Sequence, residues 1–166
     1  MKRGIAFSGG GLRGAYQVGA YKAFLDAHVK VDGFVGTSIG SFNAAMCASG
    51  RFKELYDFWY NLDAGAILGF SEKLVSKTNN EDYDLEMLNE ILNNIKSIVL
   101  NKGISTINLR KKLEEFNIGK DLYYSNKDFG LVTVRFNDFK SKYLFKEEIP
   151  KDKLNDYLIA SCFLPI

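Results

Sequence analysis

The chain has 166 residues, a formal net charge of +2 at neutral pH, and a composition that is 46% hydrophobic and 25% charged. This is about the length of one globular domain with a sizeable core. Positive and negative charges are mixed along the chain, without the basic runs of nucleic-acid-binding proteins, so a polyanionic partner is not indicated.

The sequence shows no signal for membrane insertion or secretion. No stretch approaches the roughly 20 apolar residues of a transmembrane helix, and the apolar run after Lys2 and Arg3 is too short for a signal peptide. Cys47 and Cys162 are isolated, which suggests neither a disulfide framework nor a zinc site. We expect a cytoplasmic protein in a reducing compartment, with peripheral contact to membranes left open.

The first predicted elements are a strand, a glycine-rich loop and a helix. Residues 5–8 have the bounded apolar character of a short buried strand, residues 9–14 read GGGLRG, and a helical pattern runs from Gly14 to about His28. Such a loop directs backbone N–H groups at whatever lies over the helix N-terminus, where the helix dipole favours negative charge. The loop therefore suits an anion or a developing oxyanion.

The second predicted strand leads into the most informative motif. It runs into Gly36-Thr37-Ser38-Ile39-Gly40, and residues 39–49 predict a buried helix of small residues that ends at Gly50. This is the pattern of a nucleophile elbow, in which the serine occupies a strained corner and the glycines leave room for the backbone. Ser38 is the predicted nucleophile.

The rest of the chain predicts further helices and a hairpin. Amphipathic spacing predicts three helices, over residues 52–59, 85–99 and 109–116. Residues 62–80 lack periodicity and predict a loop. β-Branched and aromatic residues predict a hairpin of residues 129–136 and 142–145, and Pro150 predicts the start of a final helix. The order of elements predicts an α/β fold, as a single three-layer domain with a mostly parallel sheet.

The glycine loop has two interpretations. Gly9, Gly11 and Gly14 match the dinucleotide-binding pattern, so a nucleotide-binding domain is one alternative. That pattern requires an acidic residue at the carboxyl end of the second strand, but Asp32 precedes the strand. An esterase uses both loops, because Ser38 attacks an acyl carbonyl while loop N–H groups stabilise the oxyanion. The combined pattern favours acyl transfer.

The usual catalytic base is not in the expected place. His28 is the only histidine and precedes Ser38, whereas the histidine of a common α/β hydrolase follows the nucleophile. A carboxylate is therefore the better candidate for the base. Turn or helix-surface positions account for the carboxylates Asp128, Asp138 and Asp156.

Together these motifs resemble the patatin-like phospholipase family. The resemblance rests on the GGGLRG loop, on the elbow with the following Asn43-Ala44-Ala45, and on the segment from Ala160-Ser161 to Pro165. It implies a lipid acyl hydrolase that acts on a lipid or acyl ester and needs no metal or organic cofactor for bond cleavage. It assigns the elbow around the Ser38 nucleophile to Gly36, Thr37, Ile39 and Gly40. It assigns the oxyanion hole, with Arg13 as an orienting residue, to Gly9, Gly10, Gly11, Arg13 and Gly14.

The resemblance also exposes a departure from the family pattern. The family completes a Ser-Asp dyad with an aspartate in an Asp-Gly-Gly or Asp-Gly-Ala motif after the Ala-Ser-x-x-x-Pro segment, and the sequence ends at Ile166. The only Asp-Gly pair is Asp32-Gly33, to which we do not assign the dyad role. We expect residues 1–166 to be a patatin-like domain that is incomplete at its C-terminus. A catalytically inactive lipid-binding or interaction module of the same fold is the other alternative, and the oligomeric state stays open.

Overall fold

The structure is a computed structural model that describes residues 1–62, residue 89 and residues 107–162. The chain divides into two compact units, and the first, Met1–Asn61 with Leu109–Phe163, contains every described strand. The second unit, Leu62–Asn108 with Leu164–Ile166, lies almost entirely outside the described residues. Apart from residues 62 and 89, the predicted loop of residues 62–80 and the predicted helix of residues 85–99 therefore also lie outside them.

Four strands form one open sheet in the order β1-β2-β3-β4. They are β1 (Gly4–Phe7), β2 (Gly33–Thr37), β3 (Asp128–Val134) and β4 (Ser141–Phe145). The β1–β2 and β2–β3 pairs are parallel, and the β3–β4 hairpin is antiparallel. The predicted α/β class with a mostly parallel sheet is confirmed, and so is the predicted hairpin.

Six α-helices are described alongside the sheet. They are α1 (Gly14–Asp26), α2 (Ile39–Ala48), α3 (Phe52–Tyr60), α4 (Ile107–Phe116), α5 (Gly119–Tyr124) and α6 (Leu154–Cys162). Short 3₁₀ turns occupy Gly11–Arg13, Lys146–Glu148 and Lys151–Lys153. None of the helices in the described part of the chain is long and apolar enough to cross a bilayer.

Two predicted helix boundaries are wrong by a few residues. The first helix ends at Asp26 rather than His28, because His28 has a positive φ of 54° that no α-helix accommodates. Pro150 does not open the last helix directly, because its ψ of 135° is extended and a 3₁₀ turn intervenes before α6. The six-residue helix α5 was not predicted, since it is too short for a periodic pattern to emerge.

The core lies between one face of the sheet and the helices α1 and α2. Phe34 of β2 is buried at its centre, where its ring stacks on Phe7 at 6.1 Å and meets the edge of Tyr21 at 5.1 Å. Helix α2 is buried at every position from Gly40 to Ala48. Its small residues allow this close approach, and each large apolar side chain buried here contributes about 1.5–3 kcal/mol.

A buried amide ties three helices together. Asn43 of α2 is 0% exposed, and its Nδ2 donates to the carbonyl of Gly14 at 3.1 Å and to Oε1 of Gln17 at 3.0 Å. Its Oδ1 accepts a hydrogen bond from Nε1 of Trp59 at 2.9 Å. Gln17 continues the network, because its Nε2 donates to the carbonyl of Ser8 at 2.7 Å. The network therefore reaches from α3 to the end of β1.

Both cysteine thiols are free, and Cys47 is buried whereas Cys162 is partly buried. Burial raises the pKa of the Cys47 thiol well above its usual range. Burial also raises the pKa of Cys162 to about 11, although a hydrogen bond with Ser41 acts in the opposite direction. A raised pKa keeps a thiol protonated, so neither cysteine is a reactive thiolate near neutral pH.

We expect Asn43→Leu to lower the free energy of unfolding by about 2–4 kcal/mol, because it leaves the buried carbonyl of Gly14 and the partly buried polar groups of Gln17 and Trp59 without their partner. Urea denaturation followed by circular dichroism measures the change. Asn61→Leu is the control, since the Asn61 amide is exposed at the end of α3 and its loss should cost less than about 0.5 kcal/mol. Equal effects of the two substitutions would contradict the role of the Asn43 network.

We also expect the native thiols to react with a disulfide reagent at pH 8 on the order of a hundredfold more slowly than the thiols of the urea-unfolded protein. Thiolate is the reacting species, and burial suppresses it at both positions. The absorbance of the released thiol anion gives both rates. Rapid reaction of both thiols in the folded protein would show that they are accessible and ionised, and would contradict this prediction.

Candidate active site

The predicted elbow and glycine loop meet at one edge of the sheet. Strands β1 and β2 are parallel, with Phe7 opposite Gly36, so their carboxyl ends lie side by side. Ser38 follows β2 and caps the N-terminus of α2. In an open α/β sheet this edge is where ligands bind.

The backbone of Ser38 is strained and is held on both sides. Its φ of 55° and ψ of −133° place a non-glycine residue where few occur. Its N–H donates to Oγ of Ser161 at 2.9 Å, and that hydroxyl donates to the carbonyl of Val132 at 2.6 Å. Its carbonyl accepts from Oγ of Ser41 at 2.6 Å and from the Ser41 N–H at 2.8 Å. These bonds hold the sharp turn that a nucleophile elbow requires.

The two glycines of the elbow are required by close backbone contacts. A Cβ on Gly36 would lie 2.1 Å from the carbonyl oxygen of Gly40, and a Cβ on Gly40 would lie 2.4 Å from that of Phe7. Between them, Thr37 is exposed at the end of β2, and Ile39 is half-buried against the core. Any side chain at either glycine would push α2 away from the sheet.

The glycine loop lies directly beside Ser38. A Cβ built on Gly9 would be 3.3 Å from Cβ of Ser38. Gly10 and Gly11 have φ values of 152° and 55°, which favour glycine. The Arg13 N–H donates to the carbonyl of Gly10 at 3.1 Å, and Cβ and Nε of Arg13 lie within 3.6 Å of a Cβ built on Gly10. Arg13 thus folds back over the loop.

Gly14, the last glycine of the motif, has a different environment. It is buried at the start of α1, and a Cβ there would lie 2.6 Å from Cζ2 of Trp59. Its carbonyl accepts the hydrogen bond from Asn43. Gly14 therefore packs α1 against α2 and α3, whereas Gly9 contacts the serine.

His28 and Asp32 both lie away from Ser38. His28 is exposed beyond the C-terminus of α1, and a helix of 13 residues separates its two ends by about 20 Å. Asp32 lies at the amino end of β2, where the Arg3 N–H donates to its carboxylate at 2.9 Å and holds its pKa below the usual range. Asp32 is thus at the wrong edge both for a dyad with Ser38 and for a ribose ligand beside the glycine loop.

The other aspartates considered from the sequence are engaged elsewhere. Asp128 begins β3 at the amino edge of the sheet. Asp138 forms a two-bond fork with Arg135, and Asp156 contacts Nη1 of Arg110 at 3.0 Å. Among the described residues, no hydrogen bond joins the hydroxyl of the elbow serine to a histidine or a carboxylate.

Ser161 and the Asn43 network are the parts of this site that sequence reasoning missed. The sequence placed Ser161 in a matching segment but gave it no role. Its hydrogen bond to Ser38 spans 123 residues, and the sequence signal was a serine among the apolar residues at the end of α6. Asn43 gave a comparable signal, as one amide among buried alanines and aromatics.

The fold is similar to two solved structures of a bacterial effector. One is a chain in the complex of full-length SpcU with full-length ExoU from the type III secretion system of Pseudomonas aeruginosa, with a TM-score of 0.50, 18% identity, and coverage of 98% of this chain and 38% of that chain. The other is the type III effector ExoU, with a TM-score of 0.53, 17% identity, and coverage of 97% and 40%. At this identity the likeness concerns the fold.

A curated relative and a family model match the sequence. Lysophospholipase nte1 of Aspergillus terreus is 49% identical over 45 residues, which are 27% of this chain and 3% of the relative. The chain thus spans well under half the length of each of these relatives. The family model for patatin-like phospholipase matches residues 5–166. The chain belongs to the patatin-like phospholipase family.

Proposed function

We propose that this chain carries the nucleophile and the oxyanion hole of a serine lipid acyl hydrolase that cleaves an acyl ester of a phospholipid or lysophospholipid. The observation that carries the proposal is the strained corner at Ser38, with Gly9 of the glycine loop packed against it. Membership of the family supports hydrolysis of lipid esters in general. The lysophospholipase relative supports the narrower substrate class.

In the proposed reaction, Oγ of Ser38 attacks the acyl carbonyl and its proton passes to a carboxylate base. The negative charge that develops on the carbonyl oxygen is stabilised by backbone N–H groups of residues 9–11. The alcohol portion leaves with the proton, and water then attacks the acyl-enzyme and releases the fatty acid. The base in this proposal is an aspartate outside this chain, as the family resemblance implies. Among the described aspartates, Asp32 lies at the other sheet edge, and Asp138 and Asp156 are paired with arginines.

The hydrogen bonds around Ser38 support the assignment of the oxyanion donors. Its own N–H is already donated to Ser161, so it is not available to a substrate oxygen. Residues 9–11 of the adjacent loop are all glycines, so they place no side chains of their own over their N–H groups. One preorganised donor typically changes the rate by two to three powers of ten.

We expect Ser38→Ala to slow hydrolysis of an activated fatty acyl ester by the full-length protein at least about a thousandfold, because it removes the attacking oxygen. Ser49→Ala is the matched control, since within the described part of the chain the Ser49 hydroxyl bonds the carbonyl of Met46 alone, at the far end of α2. Steady-state release of the chromophoric alcohol gives both rates. Equal rates for Ser38→Ala and the wild type would contradict the assignment of Ser38 as the nucleophile.

We expect Ser161→Ala to lower kcat about 10- to 100-fold while KM changes less than about twofold, because the strained corner loses its tether to β3. Ser161→Thr keeps the hydroxyl and should recover most of kcat. Thermal unfolding of both variants separates this effect from a loss of fold. A wild-type kcat in a folded Ser161→Ala protein would contradict a positioning role for Ser161.

A further inference from the structure

The β3–β4 hairpin ends in a tip that displays two phenylalanines. The hairpin tip, residues 135–140, connects Val134 to Ser141. Phe136 is 77% exposed and Phe139 is 72% exposed, and their rings lie 5.9 Å apart. Two neighbouring phenylalanines this exposed are unusual on a protein surface and indicate a contact with another apolar phase.

The hairpin tip is braced by hydrogen bonds. The Arg135 N–H donates to the carbonyl of Lys140 at 2.9 Å and closes the loop. Nε and Nη2 of Arg135 bond the two carboxylate oxygens of Asp138 at 2.9 and 2.6 Å. A planar fork of this kind fixes geometry as well as charge. These bonds maintain the loop in the form that displays both rings.

The backbone of Phe139 is itself strained. Its φ is 54°, a conformation that a bulky side chain rarely adopts. Asparagine or glycine is the ordinary occupant of such a turn position, so an exposed phenylalanine there has no advantage for folding. Strained backbone positions of this kind cluster at functional contacts.

The charge around the rings is positive. Arg135 and Asp138 neutralise each other, whereas Lys140 and Lys142 are exposed. Within the described part of the chain, no ion pair joins either lysine to an acid. Aromatic rings beside exposed lysines complement a surface with an apolar interior and anionic groups at its boundary.

The hairpin tip projects from the sheet edge that carries Ser38. Strand β3 is parallel to β2, and Val132 pairs with Thr37. Phe136 lies four residues farther along the chain, which at about 3.3 Å per residue is roughly 13 Å beyond that pair. A flat surface that met the two phenylalanines would therefore face the edge where the elbow and the glycine loop lie.

We propose that the hairpin tip docks this protein on anionic lipid bilayers, with Phe136 and Phe139 inserted at the interface and Lys140 and Lys142 on the headgroups. The two rings can bury at most about 300–500 Å² together, below the roughly 800 Å² per partner of a standard protein interface. This narrow contact fits a lipid surface better than a protein. Its use in delivering substrate rests on the proposed function, whereas the binding does not require Ser38.

The test is sedimentation of the full-length protein with vesicles of phosphatidylcholine containing either no or 30% phosphatidylglycerol. We expect binding that is stronger on anionic vesicles and that falls at least about tenfold in the double variant Phe136→Ser with Phe139→Ser. Lys140→Gln with Lys142→Gln should weaken binding to the anionic vesicles by about tenfold or more and remove most of its salt dependence. In Phe136→Trp, the added tryptophan emission should shift to shorter wavelength when vesicles are added, measured as the difference from the wild type.

Phe24→Ser is the matched control, because Phe24 is 46% exposed near the end of α1 that lies at the opposite sheet edge. It should bind vesicles like the wild type, and melting temperatures confirm that every variant is folded. Wild-type binding by the Phe136 and Phe139 double variant, or an equal loss in Phe24→Ser, would overturn the proposal. So would a wild type that ignores vesicles but self-associates through the hairpin tip in sedimentation velocity.

The two proposals fail separately. Ser38→Ala should bind vesicles as the wild type does, since the serine lies outside the hairpin tip. Loss of ester hydrolysis in Ser38→Ala, with vesicle binding intact, would therefore support the catalytic assignment and leave the docking proposal unaffected. If the Phe136→Ser, Phe139→Ser double variant hydrolysed a soluble ester at the wild-type rate and also bound vesicles like the wild type, only the docking proposal would be overturned.

Discussion

The absence of side chains at Gly36 and Gly40 is the constraint on which the site depends. It allows the first turn of α2 to approach the ends of β1 and β2 so closely that a single added Cβ would lie 2.1–2.4 Å from a backbone oxygen. Only this approach lets the chain reverse within one residue at Ser38. The strained φ of Ser38 is thus a result of close packing between helix and sheet, and its Cβ lies beside Gly9 of the glycine loop.

Two hydrogen-bond systems support this packing from different parts of the chain. Ser161 of α6 connects the N–H of Ser38 to the carbonyl of Val132, so the elbow is attached to β3. Asn43 connects α1, α2 and α3, and through Gln17 it also fixes Ser8, the residue before the glycine loop. The serine and the loop beside it are therefore positioned independently, which is the preorganisation that stabilisation of an oxyanion requires.

The sequence predicted what local patterns determine and missed what distant contacts determine. The glycines around Ser38 and the short apolar strands predicted the elbow, because sterics within a few residues dictate it. The hydrogen bond from Ser38 to Ser161 joins positions 123 residues apart, and no spacing rule reveals it. Gly14 belongs to the glycine motif by sequence, but Trp59 determines its actual environment. The exposure of the two phenylalanines at the hairpin tip likewise became visible only with the fold.

The most direct test of the central claim is the mass of the full-length protein after exposure to an alkyl fluorophosphonate, followed by peptide mapping. This reagent is attacked by an activated serine, loses fluoride and leaves a stable phosphonate ester whose phosphoryl oxygen occupies the oxyanion hole. The account predicts one adduct, located on Ser38, and a much slower reaction in Gly40→Ala, where α2 cannot approach the sheet. An adduct on Ser41 or Ser161, or equal labelling of folded Ser38→Ala, would contradict it.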